Sequence, residues 1–594
     1  MQKPKVGIPT QGSRIPYNHW TQSTNDFFNL DIPYAEEFPK GKFKLNNHEK
    51  YFRALPLISP TMGFTNIKNY WFFAPYSRVW GGWNQFITQT PSIQGTGGVS
   101  TVSYPTATPG VDIQTIRTLF QNSVYGLSTA GTVTNFDFTD GSTTATYYLF
   151  TKEGRYIYKI FKQLGYDFIE DDYTNPSTAR NKKLSALPMI ALAQICLEYL
   201  TNKNWNSVLT QQAIWDSYKN DKATSSLTLT HLVSLVALLK MVCFEDDLFM
   251  QAWVNPNGPN DLATGQSSYQ INDITSNLST RSAVWYNNNS LAPYVERESG
   301  NVDINLLTQY NINTLRALDK YIHKMQLTGT HYWERLMTLF GINHTNSDEP
   351  IKILNESQTL KVTEVTSMAS TNNAELGDMA GKAESFDRSN FTFEFEEYGM
   401  LFNIQTIIPS VAYGQSMKKQ VLRSTNLDYY TPEFDGIGPE AIESMEYYIP
   451  KGVNDTNKGK LADSIKNQIY GFFPRYYDYK TKVNRVYGDI SLDSLNATYR
   501  SWTLMRVLAA THFPTDTNNG YNIKQFLGNT IGLDNFQSQF DRIFYTSKVD
   551  NFITWNLYEY EFRSSMKSLF AYDDLIDNDE KAIKLHNNNM EADD

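Results

Sequence analysis

Residues 377–383, GDMAGKA, carry the glycines and lysine of a phosphate-binding loop, but three residues separate the glycines where four are needed. Ala383 also stands where a Ser or Thr hydroxyl would meet magnesium, so the segment reads as a decoy. GTGG at 95–98 lies in a Thr/Ser-rich stretch instead of between a strand and a helix, and its glycines serve turns rather than a dinucleotide. H-E-x-x-H, C-x-x-C and G-x-S-x-G are absent from the sequence, and the eight histidines are scattered. His323 and His331 flank Gly329 and do not share one helical face toward a metal. The carboxylates of EDD at 245–247 and DYTN at 172–175 read as solvated or helix-terminal charge. The residues thus offer no catalytic group, no cofactor site and no metal site.

Charge leaves one other kind of chemistry open. The chain has a net charge of −10, so its average composition does not attract nucleic acid, and any such contact must be local or shared with a basic partner. Lys3, Lys5 and Arg14 put positive charge on a segment with few acids, which suits sequence-tolerant contact with a phosphate backbone. Tyr476, Tyr477 and Tyr479 beside Arg475 and Lys480 have the makings of a stacking surface, although a strand with alternating buried aromatics explains the same residues.

The elements that position these residues are mainly β. Aromatic content of 14% within 41% hydrophobic residues supplies an ample core and favours sheets and large interfaces. Residues 1–20 read as an extended arm, and 27–45 as short strand-like pieces spaced by Pro33, Pro39 and Gly41. Leu55 to Ser59 and Asn69 to Ala74 are expected to form an antiparallel pair around a turn at 60–66. That pair opens into an aromatic exit of Tyr76, Arg78, Trp80 and Trp83, with Arg78 and both tryptophans as structural or interface candidates. Tyr476 and Tyr477 are candidates of the same kind.

Three inserted regions are expected. Residues 91–150 are rich in Thr, Ser and Gly and read as exposed turns and short strands, with TYYLF at 146–150 among them. Residues 155–350 turn helical, with buried helices at 184–200, 227–244 and 304–325 and a polar surface loop at 255–301. Residues 351–390 form the third, ending in a polar connection at 371–390. Strand signal returns in FTFEFEEYGMLFNIQTIIP at 391–409, where Phe391, Phe393 and Phe395 alternate with polar partners, and again at 469–480 and 551–566. The acidic, Asn-rich residues 574–594 read as a mobile tail. One jelly-roll domain spanning 21–573 accommodates all of this.

Cys196 and Cys243 sit in apolar, helix-like runs and are expected to be buried free thiols of a chain made in a reducing cytoplasm. The first residues lack an apolar secretion segment, and the most apolar run, 227–244, is interrupted by polar residues, so no membrane span is expected.

The order R-x-L-P-x-x-x-P-x-M at 53–62, then W-F-F-x-P-x-x-R-V-W-x-x-W at 71–83, resembles the major capsid proteins of the Microviridae. Further segments are similar to that family in the same order: ALPMIALAQICLEYLTNKNW at 186–205, FMQAWVNPNGP at 249–259 and GTHYWERLMTLFGI at 329–342. FEEYGMLFNIQTIIPSVAYGQSM at 395–417, with Tyr398 where His is usual, DYYTPEFDGIGPEAI at 428–442 and IYGFFPRYYDYK at 469–480 complete the set. Met189 to Ala191 replace an Arg-Ala-Tyr of the pattern, which marks a divergent branch.

The resemblance implies an eight-stranded antiparallel jelly-roll β-barrel with large inserted loops. It further implies sixty copies in an icosahedral shell around circular single-stranded DNA, assembled in the host cytoplasm and lacking enzymatic activity. The implied partners are the genome, a small basic DNA-binding protein, other virion proteins and a host receptor. Two competing readings are a secreted carbohydrate-active β protein, whose aromatic rings stack sugars and whose acid pairs cut them, and a non-enzymatic adhesin or spike.

Overall fold

The computed structural model describes residues 13–89, 92–94, 101–103, 105–120, 152–166, 183–201, 209–220, 226–240, 248–252, 320, 337, 340–341, 349–366, 379–414, 417–436, 439–447, 469–491, 499–506, 540–545, 549–564 and 566. Eight strands build one antiparallel sheet: β1 (Ser13–Asn25), β2 (Leu30–Phe38), β3 (Gly41–Ala54), β4 (Thr65–Pro75), β5 (Ile351–Thr366), β6 (Met379–Phe395), β7 (Gly399–Pro409) and β8 (Phe552–Ser564). Their spatial order is β1-β8-β3-β6-β5-β4-β7-β2. The pairs β1·β8, β2·β7, β3·β6 and β4·β5 are those of one long hairpin, with the first four strands laid against the last four. Winding that hairpin into a barrel adds β8·β3, β6·β5 and β4·β7. This is the jelly roll, the arrangement expected.

Side-chain alternation explains why these segments are strands. Along β3, Phe43 and Leu45 point into the barrel while Lys42 and Lys44 are exposed, and along β8 Phe552, Tyr558, Tyr560 and Phe562 point inward. β7 is buried on both faces, so GMLFNIQTIIP is apolar except for the buried Asn403, Gln405 and Thr406.

Several expectations are corrected. Leu55 to Ser59 does not pair with β4, because prolines at 56 and 60 remove ladder donors; instead Leu57 plugs the barrel end through bridges to Gly381 and Phe544. β3 and β4, although consecutive, lie apart in the sheet. Residues 351–390 are no insertion, since β5 occupies 351–366 and β6 begins at Met379, within the stretch expected to be a connection. Residues 27–45 contain one full strand and the start of another, and residues 13–20 lie within β1. Within 91–150, Ile113–Phe120 is a helix, α1, whose Ile116, Leu119 and Phe120 are buried. After Ile469–Pro474 the chain leaves the strand path: Tyr476 adopts a left-handed conformation and Tyr477–Lys480 forms a helical turn.

The long connection between β4 and β5 supplies a helical layer: α2 (Lys152–Gln163), α3 (Leu187–Ile195, continuing as a π turn to Leu200), α4 (Leu209–Asn220) and α5 (Leu229–Lys240). α3 and α5 match two of the expected helices. The third, at 304–325, lies outside the described residues apart from Lys320, as do the 255–301 loop, TYYLF and the tail. Cys196 is a buried free thiol, and Cys243 lies outside the described residues.

β1 and β2 end the sheet order, and α2 bridges the seam between them. On β2, the backbone N–H of Leu30 bonds Tyr156 Oη at 3.2 Å and that of Ile32 bonds Gln163 Oε1 at 2.9 Å. On β1, Lys159 Nζ bonds the Thr24 carbonyl at 2.9 Å. Helix side chains thereby occupy edge donors of β2 and an edge acceptor of β1 that a ninth strand would otherwise take.

Candidate functional site

The barrel interior is layered. At one end lies an aromatic layer that includes Phe43, Trp71, Phe395, Tyr560 and Phe562. At the other, Phe27, Phe52, Ile67, Ile407 and Phe552 join the larger core. Between them runs a closed ring of polar side chains. Lys50 Nζ lies 2.5 Å from Glu356 Oε2 and 3.2 Å from Ser389 Oγ. Ser389 Oγ is 3.4 Å from His48 Nδ1, and His48 Nε2 is 3.1 Å from Asn556 Oδ1. Gln405 Nε2 donates to Asn556 Oδ1 and to Asn69 Oδ1, and Asn69 Nδ2 donates to Glu356 Oε2, closing the circuit. Burial and the neighbouring Lys50 charge hold the His48 imidazole down at about 3, so it is neutral and the ring's fixed cation is Lys50. Ser389 donating to Nδ1 and Nε2–H donating to Asn556 fits that neutral form.

This ring is structural chemistry. Its members are satisfied, it reaches solvent only at the acids that pair with Lys50, Glu356 and Asp387, and it orients no nucleophile toward open space. Sequence reading missed it. Its only local sign is polar residues at inward positions of aromatic strands, as in Asn403 and Gln405 of β7 or Thr554 and Asn556 of β8.

The aromatic exit of β4 is a joint at the base of the helical layer. Trp80 is fully buried and Trp83 nearly so; Trp83 packs on Tyr76 with ring centres 4.9 Å apart. Gly82 is required here, because a Cβ would come within 2.5 Å of the Trp80 ring. Arg78 donates to the Glu349 carbonyl at 2.9 Å, and Tyr199 Oη bonds the Pro350 carbonyl at 2.5 Å, so the start of the connection is tied to its end just before β5.

Tyr476 and Tyr477 are both buried, with Tyr479 half-exposed beside them. Tyr477 Oη donates to Glu446, whose carboxylate is 3.2 Å from Lys419 Nζ; Glu440 and Glu443 lie within 3.7 Å of the same lysine. Burial works to lower the Lys419 pKa, but Glu446, Glu440 and Glu443 outweigh it and the net shift is upward. Lys419 therefore serves as the fixed counter-ion of these acids. The segment's solvent face is Tyr429, Tyr430 and Tyr479, with the Arg423 guanidinium 4.4 Å from the Tyr479 ring centre.

Of the expected DNA contacts, Arg14 lies on the outer face of β1, more than half exposed and paired with Glu561 of β8. Lys3 and Lys5 lie outside the described residues, as do His323, His331, the 245–247 acids and GTGG. The decoy loop residues Gly381 and Ala383 are part of β6, with Gly381 bonded to Leu57. Among the described residues no group of three or more His, Cys, Asp or Glu is placed to hold a metal, and no helix is long and apolar enough to cross a membrane.

Jelly rolls occur in viral capsid and lectin domains and in cupins, so the fold alone does not choose a function, and comparison with known proteins narrows the choice. Residues 254–518 match the family described as "Capsid protein (F protein)", a span that contains β5, β6 and β7. The chain is similar to the capsid proteins of the Microviridae. It is 25% identical over 215 residues to the capsid protein VP1 of Chlamydia phage 1, covering 35% of each chain. It is 26% identical over 123 residues to the capsid protein VP1 of Bdellovibrio phage phiMH2K, covering 20% of this chain and 21% of that one. The matched segments thus span about a third or less of these relatives. The 53–83 and 186–205 segments lie outside the family match, while those at 329–342, 395–417, 428–442 and 469–480 lie inside it.

Proposed function

We propose that this chain is the major capsid protein of a small single-stranded DNA phage, a structural protein without enzymatic activity that assembles into a closed icosahedral shell of sixty copies. The observation that carries the reading is the coincidence of the capsid-family match with three consecutive strands, β5 to β7, of a complete jelly roll. The particle is its working location, and the implied partners are the circular genome, a small basic DNA-binding protein, other virion proteins and a host receptor.

Surface chemistry supports self-association. One barrel end exposes Ile58, Met62, Phe64 and Tyr545, whose segments are joined by backbone bonds from Ile58 to Ile543 and from Tyr545 to Pro56. Met62 and Phe64 are 75% and 71% exposed, an apolar surface that a monomer gains nothing by displaying and a shell buries. Arg14, with Lys3 and Lys5 upstream, is the candidate genome contact. Sedimentation and negative-stain imaging of the protein from its natural source test the proposal. Uniform spheres are expected; monomers or dimers under every condition overturn it.

A further inference from the structure

β1 ends one side of the barrel sheet, and α2 covers its free edge only at Thr24 and Asn25. The ladder with β8 runs from Ser13 to Asn25 without a bulge, so alternate residues turn their backbone groups toward the edge throughout. Two observations set the phase. Lys159 takes the Thr24 carbonyl from the edge side, and Pro16, an even number of residues away, has no N–H to lose there. The edge-facing residues are therefore Pro16, Asn18, Trp20, Gln22 and Thr24.

Pro16 lacks a donor and the Thr24 carbonyl is taken, which leaves Asn18, Trp20 and Gln22 as an unbroken run. Among the described residues no hydrogen bond beyond the β8 ladder reaches the backbone of these three. Their side chains are exposed, Trp20 by 61%. Sheet edges are ordinarily guarded by charge, yet from residue 15 to 25 this strand has no Asp, Glu, Lys or Arg.

The run is symmetric about Trp20, because Pro16 and Thr24 lie equally far on either side. A second β1 laid antiparallel across a two-fold axis sets Trp20 opposite Trp20 and Asn18 opposite Gln22, with about six backbone hydrogen bonds. The donor that Pro16 lacks is then the one that would have met the Thr24 carbonyl, which Lys159 already bonds. Amide side chains meet amides, the two exposed indoles meet each other, and the Arg14 residues of the two copies stand about 40 Å apart. Moving the axis to Asn18 would set Pro16 opposite Trp20 and leave a Trp20 carbonyl unmet. A nucleic acid finds no cation along the run, whereas a second copy matches it donor for acceptor.

We propose that β1 pairs edge to edge with β1 of a second copy across a two-fold axis at Trp20, joining two β1-β8-β3-β6 sheets into one. The proposal deepens the shell reading, which supplies a two-fold related copy, although the pairing itself needs no closed particle.

Cysteines placed in the full chain read the register by oxidation and non-reducing electrophoresis, with the wild type as control. Trp20→Cys should give a covalent dimer, since an opposed pair holds its Cα atoms about 5.5 Å apart, within disulfide range. Asn18→Cys should give at least about tenfold less, because its twin lies about 13 Å along the ladder, and adding Gln22→Cys should restore the dimer. Trp20→Lys changes an exposed residue, so thermal unfolding should hold while self-association weakens by about tenfold or more, as like charges meet at the axis. Equal cross-linking of W20C and N18C overturns the proposal, as does wild-type self-association in W20K. Absence of the W20C dimer overturns it too, and a thiol then shielded from maleimide assigns the edge to another segment of the chain. Dimers in the expected register without particles overturn the shell reading and uphold the pairing; normal particles from W20K do the reverse.

Discussion

Gln163 Oε1 accepts the backbone N–H of Ile32 at 2.9 Å, so a helix side chain stands in for the missing neighbour of β2. The same amide donates through Nε2 to Asp31 at 2.6 Å, and Lys159, one turn earlier, reaches β1. A barrel whose end strands are not laddered together is thereby sealed by a segment of its own insertion.

Gln163→Ala should leave the Ile32 N–H and the buried Asp31 carboxylate each short of a partner. An unmet buried donor or acceptor costs about 1–3 kcal/mol, so the variant should unfold at lower denaturant with little change in slope. An unchanged midpoint would show that water replaces the amide at no cost.

Acid should weaken the fold through His48. Its native pKa of about 3 lies below the ordinary 6.5, so between these values the unfolded chain binds a proton that the native ring refuses. Stability from this group is fully present above pH 6.5 and is lost as pH falls toward 3, by about 2 kcal/mol at pH 5. His48→Gln should remove that part of the loss between pH 7 and pH 5, whatever it does to stability at neutral pH. Equal pH dependence in the two proteins, measured by urea titration, would refute the assignment.

Trp80→Ala should cost about 3–5 kcal/mol, because a fully buried ring leaves a cavity at the joint between barrel and helical layer. Replacing Trp83 as well should abolish particle yield. Particle counts from the double variant check the second part and thermal unfolding of the single variant the first.

Met62→Glu with Phe64→Glu acts on exposed atoms and should leave the monomer's unfolding within about 0.5 kcal/mol of wild type. It should also block assembly, because each charge would have to be desolvated in the interface. Sedimentation separates the two effects, and normal particles would exclude this barrel end from the subunit contacts.

Alternation determined the strands that carry their own pattern. Phe391, Phe393 and Phe395 marked the end of β6, FITWNLYEYEF marked β8, and the apolar run from Leu187 marked a buried helix. The collinear capsid-like segments pointed to the jelly roll and to the capsid proteins the chain is similar to, because their order survives even where single positions, such as Tyr398, depart from it. β5 and the first half of β6 were illegible: each buries one face lightly, so their outward Lys, Glu and Thr residues outnumber the apolar ones and composition reads them as loop.

Pairing was the part that only the tertiary structure decided. Pro56 and Pro60 argue against a local hairpin, but residues 51–75 do not say which strands β3 and β4 pair with instead, because ladder partners are chosen by the whole winding and not by neighbours in sequence. The polar ring shows the same limit, since Lys50 and Glu356 are 306 residues apart and become partners only when β3 and β5 face each other across the lumen. The aromatic row on the outer face depends on register in the same way: Trp555, Tyr51 and Phe386 are ordinary aromatic residues in three distant segments, and they line up only because β8, β3 and β6 are neighbours. Local pattern fixes which face of a strand is apolar, whereas the long-range hydrogen-bond ladder fixes which faces meet.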